Sequence, residues 1–377
     1  MREVEFVTPG QMIEARLRER GWSQRALAMV LGVSEKTVSS FMNGRTKISN
    51  ELALQLQAAL AVDADSLLKL QASFELKKAQ LAFRLDPALT TRATVFGDLP
   101  VSEMISRGWL PGVRDLWDPN LDSAICTFFK AKSIDEIEVL PHAAKKTASD
   151  SDASPAQLAW LYRVRQIAAD YPAPKYSQHK LEAALGKLKA LLVSADAISK
   201  VPRIMMEAGV RFVIVESLPA ARIDGVCCWL DSTKPVVGVS LRFDRIDNFW
   251  FVLRHEIEHV LREHGQGQVR LDTDMEKTAS VSDIPEEEQL ANHAAAEFCV
   301  PSDRLVDFIA RKAPVFAERD IRGFAATLQV HPGIVAGQLQ HRTNRYELFR
   351  NHLVNIRSII LPTAEHDGWG DVAQIEG

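Results

Sequence analysis

Hydrophobic positions in the first eighty residues recur at helical spacing, and residues that start or stop helices separate the successive stretches. Thr8, Ser23 and Ser34 each precede such a stretch and suit the N-cap position, where a side-chain oxygen accepts a backbone N–H. Gly32 lies between the second and third stretches, where a left-handed turn is expected. Two short helices joined by a turn that contains glycine form a helix-turn-helix. The pattern therefore predicts an all-α helix-turn-helix domain over residues 1–85.

The pattern changes further along the chain. Short β-branched and apolar runs, separated by turn residues, predict strands at residues 210–215, 225–230 and 235–241. Residues 248–265 then form a helical stretch that is apolar on nearly every side, which indicates a buried helix. An alanine-rich helical stretch follows and ends at Pro301. The sequence therefore predicts a mostly α fold with a small β-sheet, in the α+β class.

Between these regions the sequence predicts helices and shows no motif to which a catalytic or binding role can be assigned. Residues 155–171 and 177–192 are predicted to be helical, and the polar stretch at 145–155 is predicted to be an exposed loop or linker. The last dozen residues are expected to form a loose terminus. The predicted domains are a helix-turn-helix domain at 1–85, a mainly helical connecting region at 86–200, a domain with strands and the buried helix at 201–345, and a tail at 346–377.

Composition narrows the class of protein. The chain has 377 residues, of which 46% are hydrophobic and 25% are charged, as expected for a soluble globular protein of two or three domains. It has no run of 18 apolar residues and no secretory signal pattern at its start, so we expect a cytoplasmic protein without a membrane span. Four cysteines in this length do not indicate a disulfide framework, and we expect them to be reduced.

Local charge in the first domain differs from the net charge of −4 of the whole chain. Between residues 11 and 50 there are seven basic and three acidic residues, which indicates a patch suited to phosphate. Short polar side chains of the second helix can reach base edges in the major groove of double-stranded DNA. The predicted base-reading residues are Lys36, Thr37, Ser39, Ser40 and Asn43, and the predicted phosphate contacts are Gln24, Arg25, Arg45 and Lys47. The alternative is a helical dimerisation bundle whose surface charges are only solvated.

The buried helix contains the string His255-Glu256-x-x-His259. Because the two histidines are four residues apart, they lie on one helix face, and both imidazoles can reach one metal ion. Glu256 cannot share that face as a ligand, but it can accept a proton from a water molecule beside the metal, so it is the candidate general base. The alternative is a chance string in which two core histidines are satisfied by backbone carbonyls.

An acidic residue on a second helix completes a catalytic zinc site of the His₂Glu type and leaves one coordination position open. The alanine-rich stretch begins with three adjacent glutamates, and a fourth lies near its end. These candidates for a third ligand are Glu286, Glu287, Glu288 and Glu297. Glu256 also argues against a purely structural zinc, since a structural site has no use for a base.

Two adjacent motifs favour one of these glutamates as the third ligand. Glu288-x-x-Ala291-Asn292 is similar to the third-ligand signature of gluzincin metallopeptidases, and the run from Glu288 to Pro301 resembles the ImmA/IrrE family of zinc peptidases. The resemblance spans about residues 201–301. It implies that His255, His259 and Glu288 bind Zn²⁺, that Glu256 is the catalytic base, and that the carboxy-terminal domain is gluzincin-like.

The first domain contains motifs that resemble a second family. They are Thr8-Pro-Gly10, Gly21-Trp-Ser23-Gln24, Leu31-Gly-Val-Ser34, Asn43-Gly44-Arg45 and Leu67-Leu-Lys-Leu-Gln71. HigA-type antitoxins, in which an Xre-like helix-turn-helix represses the operon of its own toxin, are similar to this chain over about residues 5–80. Leu68 departs from that group, which usually has a large aromatic residue there. The resemblance implies a homodimer on a palindromic operator and a cognate toxin.

Together these features predict a DNA-binding transcription regulator with a zinc-dependent endopeptidase domain that acts on a protein partner such as a repressor or a toxin. The alternative is a non-proteolytic, autoregulating antitoxin whose metal domain is structural or sensory. The sequence does not identify the donor that would stabilise the oxyanion, although Arg242, Arg262 and His264 lie near the motif. His331 and His341 are interpreted as surface or packing residues.

Overall fold

The computed structural model describes residues 7–82, 99–134, 137, 144–146, 154–266, 269–273 and 285–374. The chain forms two compact units, Met1–Thr90 and Thr91–Gly377. The sequence divided the second of these into three segments. In the structure, the helices before the sheet contribute to the two cores on its faces, and the strand near the end of the chain pairs with it.

The first unit is a bundle of helices: α1 Pro9–Arg20, α2 Gln24–Leu31, α3 Glu35–Met42, α4 Asn50–Leu60 and α5 Ala64–Ala82. Thr8, Ser23 and Ser34 each accept a hydrogen bond from the backbone N–H three residues later, as predicted for N-caps. Gly32 ends α2 in the left-handed conformation, with φ of 65°. The apolar faces of the five helices meet in a single core. The predicted all-α unit is therefore present.

One mixed sheet forms the centre of the second unit. Within the described residues its strands are β1 Ala144–Lys146, β2 Arg211–Val215, β3 Ile223–Trp229, β4 Pro235–Val239, β5 Val269–Thr273 and β6 Glu365–Asp367. Their order across the sheet is β1-β5-β3-β4-β2-β6. Strand β3 is antiparallel to both of its neighbours, and the remaining pairs are parallel. The sequence predicted β2, β3 and β4, whereas β1, β5 and β6 were not predicted.

Helices cover both faces of this sheet. Within the described residues the helices of the second unit are α6 Val101–Ser106, α7 Leu121–Phe129, α8 Pro155–Asp170, α9 Gln178–Leu191, α10 Val201–Glu207, α11 Ile246–Leu261, α12 Glu286–Cys299, α13 Ser302–Lys312, α14 Glu318–Leu328, α15 Pro332–Thr343 and α16 Arg357–Ile360. Side chains alternate between the faces, so Cys227 joins the core under α11, whereas Cys228 joins the core under α8. The structure confirms the predicted mostly α fold with one sheet. The four cysteines are not joined in disulfides.

Two predictions need correction, one in the connecting region and one in the tail. The loop predicted at 145–155 begins inside β1, and residues 147–153 lie outside the described part of the chain. The loose terminus predicted from Glu365 is wrong, because Glu365–Asp367 pairs with β2 and Asp367 is fully buried. A three-residue strand has no hydrophobic period that a sequence pattern could reveal.

Candidate metal centre and nucleic-acid interface

Helix α11 brings its two motif histidines together in the core of the second unit. Its apolar residues pack under the sheet, and this packing buries His255 and His259 as well. The Nε2 atoms of the two imidazoles lie 3.0 Å apart, as expected for positions four residues apart on a helix. Both rings therefore present the same nitrogen to one point beside the helix.

Glu288 of α12 reaches that point from a second helix. Its Oε2 is 3.2 Å from the Nε2 of His255, and its Oε1 is 3.4 Å from the Nε2 of His259. The carboxylate is buried along with the two imidazoles. Glu288 therefore shares a closed site with both histidines.

The spacing of these atoms allows the three side chains to share one metal ion. Zinc bonds of about 2.0–2.1 Å at tetrahedral angles place neighbouring ligand atoms about 3.3 Å apart. In the protein the two Nε2 atoms lie 3.0 Å apart, and they lie 3.2 and 3.4 Å from the two different carboxylate oxygens of Glu288. His255, His259 and Glu288 therefore form a group that can hold a metal ion.

The four candidate glutamates have different surroundings in the structure. Glu286 is exposed in the first turn of α12. Hydrogen bonds from the side chain of Ser302 and from its backbone N–H, 2.9 Å away, lower the pKa of the Glu297 carboxyl group. Glu287 lies beside His264, at 4.0 Å from its Nε2. Of the four, Glu288 is the one that meets the two histidines.

Glu256 turns toward the sheet and is fully buried. A Cβ atom added to Gly225 of β3 would lie 2.2 Å from the Oε1 of Glu256 and 2.9 Å from the Cγ1 of Val252. The carboxylate therefore occupies space that only a glycine leaves open. Sequence reasoning did not select Gly225, although an isolated glycine in a strand indicates a close approach of this kind.

The three residues considered as oxyanion donors have different partners. Arg242 donates to both carboxylate oxygens of Asp224, at 3.1 and 3.2 Å. Arg262 donates to Glu258 at 2.6 Å. The Nδ1 of His264 instead lies 2.9 Å from the Nδ1 of His259, so His264 touches the metal group.

His331 and His341 lie away from the two motif histidines. His331 caps α15, since its Nδ1 accepts a hydrogen bond from the backbone N–H of Gly333 at 3.0 Å. Burial lowers the pKa of this imidazole. His341 lines a small cavity beside the first turns of α11, together with Arg245 and Phe251. Both histidines therefore lie outside the metal group.

The predicted DNA-contacting side chains occupy the surface of α2, α3 and the turns that follow them. Ser39 and Ser40 are half-buried, and the others are exposed: Gln24, Arg25, Lys36, Thr37, Asn43, Arg45 and Lys47. Several of these residues also have partners within the unit. Arg25 lies 3.4 Å from Glu35, and Lys47 forms an ion pair of 2.7 Å with Glu75 of α5. Lys36 lies in the first turn of α3 and Arg45 follows the helix, and both are exposed.

The arrangement of α2, the Gly32 turn and α3 places the first unit in the class of helix-turn-helix DNA-binding units. Residues 12–67 match a family model described as a helix-turn-helix. The match covers the core of the first unit, and the chain is accordingly a DNA-binding regulator. No curated protein matches the chain. Among the described residues, no helix combines the length and the apolar character that crossing a bilayer requires.

Proposed function

We propose that this DNA-binding regulator carries a zinc-dependent endopeptidase in its second unit, which acts on a protein partner such as a repressor or a toxin. The observation that carries the proposal is the buried grouping of His255, His259 and Glu288, next in the chain to a buried Glu256. Three ligands leave a fourth position open, which is typical of catalytic rather than structural zinc sites.

The donor set supports zinc. Two imidazole nitrogens and one carboxylate oxygen suit this ion, whereas Ca²⁺ and Mg²⁺ favour sets composed of oxygen atoms. When bound, zinc polarises the scissile carbonyl and lowers the pKa of a water molecule to about 7. The carboxylate of Glu288 offsets part of the ion's charge in this buried environment.

The proton transfers are assigned to a residue of the chain itself. Glu256 accepts the proton of the attacking water and delivers it to the departing amine, as a general base and then a general acid. Its burial between Val252 and Gly225 restricts the carboxylate to a narrow range of orientations. A carboxylate so restricted loses little conformational freedom when it reaches the transition state.

Removing the third ligand tests the metal site directly. We expect Glu288→Ala to weaken zinc binding by more than about a hundredfold, since changes in residues that only support a ligand already cost about 10–100-fold. Zinc affinity is measured by competition with a chromophoric chelator. Peptide cleavage is measured by mass spectrometry on a peptide mixture, with and without chelator.

Glu286→Ala is the matched control, because this glutamate lies in the same first turn of α12 and is exposed. It should leave zinc affinity and cleavage unchanged. Equal zinc affinity in the Glu288→Ala and Glu286→Ala variants would remove Glu288 from the site. Zinc binding without cleavage of any peptide would leave the alternative, an autoregulating antitoxin that binds a palindromic operator as a homodimer and uses its metal domain structurally or as a sensor. The helix-turn-helix match is the observation that favours this alternative.

DNA binding is expected to depend on the exposed basic residues around α3. Replacing both Lys36 and Arg45 with alanine should weaken binding and reduce the slope of log affinity against log salt by about 1. The predicted phosphate contact of Arg45 contributes about 0.9 to that slope, whereas Lys36 is predicted to reach base edges. The measurement is fluorescence anisotropy with a DNA fragment that spans the chain's own promoter, at several salt concentrations.

The control for this experiment removes two positive charges elsewhere in the first unit. Arg18 and Lys69 pair with acidic residues of their own helices and lie outside α3 and the turn after it. The Arg18→Ala and Lys69→Ala double variant should therefore keep a steeper salt dependence than the Lys36 and Arg45 variant. The same slope in both double variants would mean that α3 does not face the DNA.

A further inference from the structure

His264 lies where the chain turns back at the end of α11. Glu263 and Gly265, on either side of it, have positive φ angles of 56° and 81°. The backbone N–H of His264 donates to the carbonyl of His259 at 2.9 Å, and its own carbonyl accepts from the indole N–H of Trp229 at 2.8 Å. The backbone at His264 is therefore fixed both to α11 and to strand β3.

This turn directs the imidazole of His264 at the outer edge of His259. The two Nδ1 atoms are 2.9 Å apart, and the ring planes are inclined by 50°. The Nε2 of His259 points the other way, toward His255 and Glu288. The two nitrogens of His259 therefore have separate partners, one in the metal group and one in His264.

We propose that His264 is a positioning residue that holds His259 in the orientation and tautomer needed to bind the metal; the inference rests on the proposed metal site. A neutral imidazole that binds a metal through Nε2 carries its proton on Nδ1. That proton points at the Nδ1 of His264, which must accept it. The proton of His264 is then on its Nε2, the nitrogen that faces the Oε1 of Glu287 at 4.0 Å.

The resulting order of groups is the carboxylate of Glu287, the imidazole of His264, the imidazole of His259 and the metal. Histidine ligands commonly donate their second N–H to a carboxylate or a carbonyl, and here an imidazole takes that place. His264 is not itself placed as a ligand, since its contact with His259 is to the nitrogen on the far side of that ring from Glu288. Its effect on the metal passes through His259.

The test compares three forms of the full chain: the wild type, His264→Phe and His264→Asn. Phenylalanine retains a planar ring but has no acceptor, whereas the side-chain oxygen of asparagine can occupy the place of Nδ1 and accept the same proton. We expect His264→Phe to weaken binding of Zn²⁺ by about 10–100-fold and His264→Asn to recover most of that loss. Absorption spectra with Co²⁺ in place of Zn²⁺ should show a changed ligand field in His264→Phe and a nearly wild-type one in His264→Asn.

The outcomes distinguish this inference from the metal proposal. If the wild type binds no Zn²⁺, the metal site and the inference fail together. If the wild type binds Zn²⁺ and His264→Phe binds it equally well with an unchanged Co²⁺ spectrum, the inference alone is overturned. If both variants lose affinity equally and their metal-free forms unfold at lower temperature, the role of His264 is structural and the inference is likewise overturned.

Discussion

A Glu256→Gln variant is expected to retain zinc and to cleave peptides about 10²–10⁴ times more slowly than the wild type, the usual contribution of a general acid–base group. The amide is nearly isosteric with the carboxylate, so it fits the same space between Val252 and Gly225. It cannot accept the proton of the attacking water at neutral pH. Because Glu256 is not among the three ligand residues, zinc affinity should stay within about threefold of the wild-type value.

The matched control is Glu286→Gln, which makes the same chemical change at an exposed position on α12. Zinc content is measured on the purified proteins, and cleavage is followed by mass spectrometry on the same peptide mixture. A Glu256→Gln variant that keeps zinc and cleaves as fast as Glu286→Gln would contradict the role of Glu256. If that variant also retained full regulatory activity in cells, the non-proteolytic antitoxin would become the better description.

The helix-turn-helix could be predicted from the sequence because its signals are local. Ser23 and Ser34 cap the helices that they immediately precede, and Gly32 supplies the left-handed turn between those helices. Each of these residues acts within four positions of itself in the chain. Such interactions do not depend on the rest of the fold, so they can be predicted from the local sequence alone.

The metal group was predictable in part for the same reason. The spacing of His255 and His259 sets their separation on one helix, while the contribution of Glu288 depends on how α12 crosses α11. The family resemblance, rather than the spacing, favoured Glu288 over its neighbours. His264 was noted only as a residue near the motif, because its contact with His259 requires a turn that no periodic pattern encodes.

Other parts of the second unit could not be predicted because their partners are far apart in the sequence. The space for Glu256 is provided by Gly225, and the strand Glu365–Asp367 pairs with β2 about 150 residues earlier. Short strands depend on the sheet that receives them and have little propensity of their own. The placement of the chain's end was therefore wrong, although the class of the fold was right.

Asp367 shows why the end of the chain is ordered, and replacing it with alanine is expected to lower the free energy of unfolding by about 3–5 kcal/mol. Its carboxylate is fully buried and accepts hydrogen bonds from the indole of Trp109 at 2.6 Å, from the guanidinium of Arg163 at 3.0 Å and from the backbone of Ala373 at 3.0 Å. Alanine leaves the buried charge of Arg163 without its carboxylate partner, and it also leaves a cavity.

Asp371→Ala provides the comparison, since this aspartate is exposed and its carboxylate bonds to His366 near the surface. We expect that variant to lose no more than about 1 kcal/mol. Urea unfolding of the full chain, followed by tryptophan fluorescence, reports mainly on the second unit, because six of the seven tryptophans lie there. Similar small losses for Asp367→Ala and Asp371→Ala would show that the buried pair does not stabilise the unit. A large loss for Asp367→Ala alone would establish that β6 and the residues after it are part of the fold that supports the metal helix.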